Sequence, residues 1–233
     1  MSTSPVIDRA RPRESSGAGR FAVRRLGRLP YRAAWDLQRR LVVERAEGRI
    51  PDTLLLLSHP PVVTVGRGGG QAHVLVTAEA LAARGVDLVH TDRGGDVTFH
   101  GPGQIVGYPI VDLTGRGRDL HRYMRDVEET VVLALDRFGI EAGRIAGLTG
   151  VWSGGAKVAA IGIRVSRWIA HHGFALNVDT DLSYFDLIVP CGIADRPVTS
   201  MEELLGRPLH RGDVEVALEE SFGDVFHPAE ARS

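Results

Sequence analysis

Cysteine occurs once in the 233 residues, at Cys191, and lysine once, at Lys157. A single cysteine excludes an intrachain disulfide and any multi-cysteine zinc site. No stretch approaches the roughly 18–20 uninterrupted apolar residues of a membrane-spanning helix. The opening MSTSPVIDRARPRESSGAGR lacks the apolar core of a secretory signal. The expectation is a cytoplasmic protein with no membrane partner. Net charge is only −1, which argues against a bulk electrostatic grip on nucleic acid. There is no internal repeat and no collagen-like glycine period. What is present, 43% hydrophobic and 24% charged residues, is the balance of a folded globular chain with a sizeable core.

The scarcity of lysine is itself informative. Of 28 basic residues, 27 are arginine, and asparagine too appears once, at Asn177. A lysine that survives so strong an arginine bias is a candidate for a place arginine cannot fill. Lysine is a compact point charge that can lose its proton when desolvated, whereas guanidinium stays charged and forked. The plain alternative is a chance survivor at the surface.

Residues 1–20 are rich in Arg, Ser, Pro and Gly without a hydrophobic period and read as a disordered tail. Residues 21–222 read as one domain and 223–233 as a C-terminal tail. An apolar stripe at helical spacing predicts a helix over Tyr31–Ala46, ended by Gly48 and Pro51. Thr53–Leu57 and Val62–Val65 read as strands, Ala78–Arg84 as a short helix and Val86–Thr91 as a strand. Asp92–Gly103 reads as a loop leading into a strand over Gln104–Val111. Asp119 is placed to cap a helix whose stripe is Leu120, Tyr123, Met124, Val127, Val131, Leu135 and Phe138, with Gly139 at its end. Lys157–Val165 and Ile169–Val178 read as adjacent strands, and Asp213 as the cap of a last helix through Phe222. Strand pairs too close for crossovers predict a mixed α/β sheet rather than a strictly parallel one.

Four segments carry chemical interest. Arg93-Gly94-Gly95-Asp96-Val97-Thr98-Phe99-His100-Gly101-Pro102-Gly103-Gln104 holds four glycines in twelve residues, which lets backbone approach a ligand closely. Read plainly it is a long turn, and it matches no phosphate-loop or dinucleotide pattern. Gly150-Val151-Trp152 precedes Lys157-Val158-Ala159-Ala160-Ile161-Gly162, where alternation puts Lys157 on one face with Ala159 and Ile161. Such a lysine either protects a sheet edge or is buried for a purpose. In His171-His172-Gly173-Phe174-Ala175-Leu176-Asn177, strand neighbours point to opposite faces. The two histidines are therefore not expected to grip one metal ion, and Phe174 and His172 are expected opposite Asn177. Asn177 is expected to satisfy buried backbone or orient a site group. Ile188-Val189-Pro190-Cys191-Gly192-Ile193 flanks the thiol with turn residues, although a lone cysteine is often a small buried hydrophobe. At a pKa near 8.5 only about 3% of a thiol is thiolate at pH 7. A neighbouring ammonium that lowers it by about two units raises that to roughly three quarters. Cys191 and Lys157 thus form a plausible activated pair.

These four segments, in this order, resemble the lipoyl(octanoyl) transferase family through RGG-x-x-T-x-HGPGQ, a lysine-led K-[VI]-A-x-[IL]-G strand, HG-[FL]-ALN and PCGI. The resemblance covers roughly residues 21–220. It implies the fold of biotin and lipoate protein ligases, an α+β arrangement with a mixed, largely antiparallel sheet and packed helices. It implies transfer of an octanoyl group from octanoyl-acyl carrier protein to Cys191 as a thioester. From there the group would pass to a lysine of lipoyl domains, on E2 subunits of 2-oxoacid dehydrogenases and the glycine-cleavage H protein, before a separate sulfuration. By the family pattern Cys191 and Lys157 are catalytic, and Arg93–His100, Ala160, Ile161, Gly162, Gly173, Phe174 and Ala175 line the acyl site. Main-chain amides near Cys191 or Gly162 are the expected oxyanion donors. No cofactor, ATP or metal is implied, since the substrate arrives activated. The rivals are an ATP-dependent lipoate or biotin ligase, which needs no Cys191; a cysteine hydrolase using His172 and Asn177; and a non-catalytic acyl-protein binding module.

Overall fold

A computed structural model describes the main chain of residues 13–17 and residues 21–189 and 196–228. In chain order the first half holds β1 (Arg13–Gly17), β2 (Phe21–Arg28), α1 (Tyr31–Ala46), β3 (Thr53–Ser58), β4 (Val62–Val65), α2 (Ala78–Ala83), β5 (Asp87–His90), β6 (Val97–His100) and β7 (Gln104–Asp112). The second half holds α3 (Leu120–Asp136), β8 (Gly143–Ile145), β9 (Leu148–Ser153), β10 (Ala156–Ser166), β11 (Ile169–Asn177), α4 (Met201–Leu205) and α5 (Arg211–Phe226). Eight strands form one sheet in the order β1-β2-β3-β7-β11-β10-β9-β8, antiparallel except for β2 with β3. A smaller sheet runs β5-β4-β6, with β4 parallel to β5 and antiparallel to β6.

The leucine run explains how the large sheet is covered. Leu54 and Leu56 pack into a cluster with Tyr123, Val127 and Val131 of α3 and Leu218 and Phe222 of α5. Leu55 and Leu57 pack on the opposite face with Ala34, Leu41 and Val42 of α1. A strand buried on both faces needs no polar alternation, and all four leucines are fully buried. Helix α3 starts where its cap predicts: the Asp119 carboxylate accepts the N–H groups of His121 and Arg122. Leu120, expected in its apolar stripe, is exposed, and the buried stripe begins at Tyr123. Among the described residues no helix is long and apolar enough to cross a membrane.

Several boundaries differ from expectation. Within the expected disordered tail, Arg13–Gly17 pair with Phe21–Arg25 as β1; that segment has no apolar alternation to announce it, and its part is main-chain pairing. The expected loop over Asp92–Gly103 contains β6, a four-residue strand between glycine clusters. Helix α5 begins at Arg211, with His210 rather than Asp213 at its cap, and continues to Phe226, four residues into the expected tail. Its Phe222 and Phe226 stack at 4.6 Å and bury in the main core, which is what extends it.

Candidate active site

The cleft begins with a contact between two glycines. Gly94 N–H donates to Ile163 O at 2.9 Å, so the chain after β5 crosses directly over β10. A Cβ on Gly162 would lie 2.8 Å from Gly94 O, and one on Gly94 3.0 Å from Ile163 O. No residue with a side chain fits at this crossing. Arg93 fastens the crossing to the small sheet. Its buried guanidinium donates to Thr64 O at 2.7 Å, Thr64 Oγ1 at 2.9 Å, Gly94 O at 3.0 Å and Asp96 O at 2.7 Å.

Beneath the crossing, a narrow cleft, partly open to solvent, runs between the two sheets. Of the residues expected to line an acyl site, Arg93, Gly95, Thr98, His100, Ala160, Ile161, Gly162, Gly173, Phe174 and Ala175 are brought to its wall. Gly94 and Asp96 line a neighbouring cavity with Met124 and Leu148, which shares Gly95, Ile161 and Gly162 with the cleft. Val97 and Phe99 instead turn into the small-sheet core, where Phe99 stacks on Tyr184 at 4.7 Å. Strand alternation in β6 gives Thr98 and His100 to the cleft and takes their neighbours away from it.

Three wall residues were missing from the expected set: Tyr31, Tyr108 and His172. Tyr108 was legible, since it lies four residues from Gln104 on the same strand and therefore on the same face. With His59 and His100 these residues form a run of rings. Tyr31 stacks on His100 at 5.8 Å, and the Tyr108 hydroxyl donates to His59 Nε2 at 2.8 Å. His59 Nδ1–H donates to Leu29 O at 2.6 Å. Burial pushes His59 down to about 4 and His100 well below the ordinary histidine range, so both rings are neutral at pH 7. His100 Nδ1–H donates to Gln104 Oε1 at 3.2 Å, and the Gln104 amide donates to Asn177 Oδ1 at 3.0 Å. The Asn177 amide in turn donates to Thr199 O at 3.0 Å. The lone asparagine thus holds the chain that returns past Lys157.

Lys157 is buried within the sheet, not at an edge. Its cavity adjoins the cleft through Thr98, Ala160 and Ala175. Its N–H donates to Pro197 O at 2.9 Å and its carbonyl accepts from Thr199 N–H at 3.0 Å, while Trp152 is its partner on β9. The ammonium lies 4.7 Å from the centroid of the Trp152 ring. The short link between Trp152 and Lys157 is a two-residue hairpin turn with Gly154 and Gly155 both at positive φ. Cys191, with all of residues 190–195, lies outside the described residues. On either side of that stretch, Val189 N–H donates to His73 O at 2.8 Å and Pro197 O accepts from Lys157.

The paired histidines depart from the sequence argument. His172 has φ +56° in the middle of β11, a left-handed conformation that breaks the alternation. Its ring joins His171 on one side, at 5.1 Å between centroids. It does not share the face of Phe174, whose ring fills the space a side chain on Gly107 would need. Asp92 faces both rings: Oδ1 accepts from His172 Nε2–H at 2.9 Å, and Oδ2 lies 3.9 Å from His171 Nε2. Burial lowers His171 to about 4 and lowers His172 too, the latter against the pull of Asp92. The hydrogen bond from His172 holds Asp92 at about 2.

The family model for the lipoyl protein ligase A/B catalytic domain matches residues 30–223. Curated relatives include the octanoyltransferase of Chloroflexus aurantiacus, 52% identical over 209 residues that cover 88% of this chain and 94% of that one. The octanoyltransferase of Rubrobacter xylanophilus is 54% identical over 207 residues, 88% and 93% of the two chains. Among solved structures, a bipartite lipoate protein ligase from Thermoplasma acidophilum superposes with a TM-score of 0.67 at 20% identity, over 90% of this chain and 84% of that one. The Aquifex aeolicus biotin protein ligase with biotin and ATP gives 0.54 at 15%, over 87% and 68%. The two solved structures share the fold, an α+β arrangement with a largely antiparallel main sheet. Fold, ordered motifs and relatives agree: the chain belongs to the lipoyl protein ligase A/B catalytic-domain family and, within it, to the octanoyltransferases, which are acyltransferases.

Proposed function

We propose that this enzyme takes an octanoyl group from octanoyl-acyl carrier protein onto Cys191 and delivers it to the lysine amine of lipoyl domains, those of E2 subunits and the glycine-cleavage H protein. The observation that carries this reading is the narrow cleft walled by small and apolar residues that adjoins the Lys157 cavity. In the first half-reaction the Cys191 thiolate attacks the donor thioester, the carrier's sulfur leaves as a thiolate, and that thiolate takes a proton from the Lys157 ammonium. In the second, the acceptor amine attacks the Cys191 thioester; its proton passes to Lys157 and the thiolate is restored. Exchange between thioesters is nearly neutral in energy, so the site's task is to supply a good nucleophile. Reach supports the pairing, because Cys191 is six residues from Pro197, whose carbonyl is bonded to Lys157.

The test is intact-mass spectrometry of the enzyme mixed with octanoyl-acyl carrier protein and no acceptor. The expected result is a gain of one octanoyl group, labile to hydroxylamine and absent from Cys191→Ala. An adduct that persists in Cys191→Ala, or one found only on lysine, overturns the covalent route. An adenylate formed from ATP and free octanoate would instead favour a ligase.

A further inference from the structure

The left-handed turn at His172 creates a grouping that the octanoyl reading does not use. His171 lies one residue before the HG-[FL]-ALN motif, yet it is as buried as His172 and faces the same carboxylate. We propose that Asp92, His171 and His172 form a binding site for a divalent transition-metal ion of the zinc class, at the edge of the acyl cleft.

Three features carry this. One ligand atom from each residue lies within 4.8 Å of the others. Tetrahedral zinc with ligands at about 2.0–2.2 Å wants donors roughly 3.3 Å apart. His172 Nε2 lies 2.9 Å from Asp92 Oδ1 and His171 Nε2 3.9 Å from Asp92 Oδ2, on either side of that spacing, so the rings close on one ion by small side-chain rotations about a shared carboxylate. Imidazole ligates through an unprotonated ring nitrogen, and the Nε2 atoms of both rings face the same carboxylate. The proton on His172 Nε2 moves to Nδ1, which has no hydrogen-bond partner among the described residues. Two imidazoles and one carboxylate leave at least one coordination position open, and Asp92, 38% exposed, provides the entry path.

A non-glycine residue held left-handed inside a strand stores backbone strain. Here that strain has a visible product, two rings sharing one carboxylate. Arg164 Nε, 4.0 Å from Asp92 Oδ2, is a cation the ion must displace, which sets the expected affinity below that of a dedicated structural zinc site.

The experiment titrates Co²⁺ into the full chain carrying Cys191→Ala, so that the thiol cannot ligate. Binding is followed by calorimetry and by the visible absorption of low-coordinate cobalt. The expected result is one saturable equivalent with that absorption, weakened at least ~10-fold in Asp92→Asn and in His171→Ala. If His171→Ala does not fold, His171→Gln keeps the bulk and removes the ligand. No saturable binding, or binding that the His171 variants leave unchanged, overturns the site. Because the thiol is absent throughout, the outcome is independent of whether Cys191 carries an acyl group.

Discussion

An amine over an indole face is held by the ring's quadrupole while its methylene stem packs against the neighbouring chain. Lys157 has that setting over Trp152, and its stem runs past Gly150, where a Cβ would lie 3.4 Å from Lys157 Cε. Arginine would retain the positive charge. It would not fit its fork into a space this closely walled, and it would not exchange a proton at neutral pH. Lys157→Arg is therefore expected to slow octanoyl transfer by at least about 10²-fold. The check is the transfer rate together with the pH profile of thiol alkylation, compared with Lys157→Ala. Near-normal transfer by the arginine variant would reduce Lys157 to a plain charge. Lys157 stood out in the sequence because arginine is used everywhere else. Its setting was not, since nothing in a strand pattern says whether a lysine sits at an edge or under an indole.

Strand β7 shows how one glycine governs a wall of the cleft. At Gly107 a Cβ would come within 2.1 Å of the Phe174 ring. Gly107→Ala must push that ring off its place, at a cost of about 1–3 kcal/mol for overpacking. Because Phe174 lines the cleft, transfer activity is expected to fall along with the urea midpoint; unchanged values for both would show that the ring has room to move. Helices α1 and α3 and strands β3, β7, β10 and β11 were readable because each has a clean period or an unbroken apolar run. Strand β6 was hidden by the glycines around it, and β8 and β9 by polar and glycine-rich composition. The reversal at His172 escaped for a different reason: alternation assumes every residue is extended, and no propensity marks a histidine at φ +56°. In the candidate site, the glycine and alanine positions came from the family resemblance. Tyr31, by contrast, comes from the start of a helix distant in sequence and reaches the cleft only through the packing of α1 on the sheet.

For the molecule as a whole, buried neutral histidines set the response to acid. His59 and His171 take up a proton in the unfolded chain near pH 6.5, but in the folded one only near pH 4. Between those values the unfolded chain binds more protons. Stability is thus fully present above about pH 6.5 and is lost as the pH falls toward 4, by up to about 1.4 kcal/mol per pH unit for each histidine. Urea midpoints measured across this interval are expected to fall steadily, and a level profile would contradict the assignment. The glycine crossing that opens the cleft has a consequence for redesign. Where Gly94 meets Gly162 the gap is set by two main chains, so there is no side chain to trim or enlarge. A change of preferred acyl length has to be engineered elsewhere, at Ala160, Ala175 or Met124, where a calibre exists to be altered.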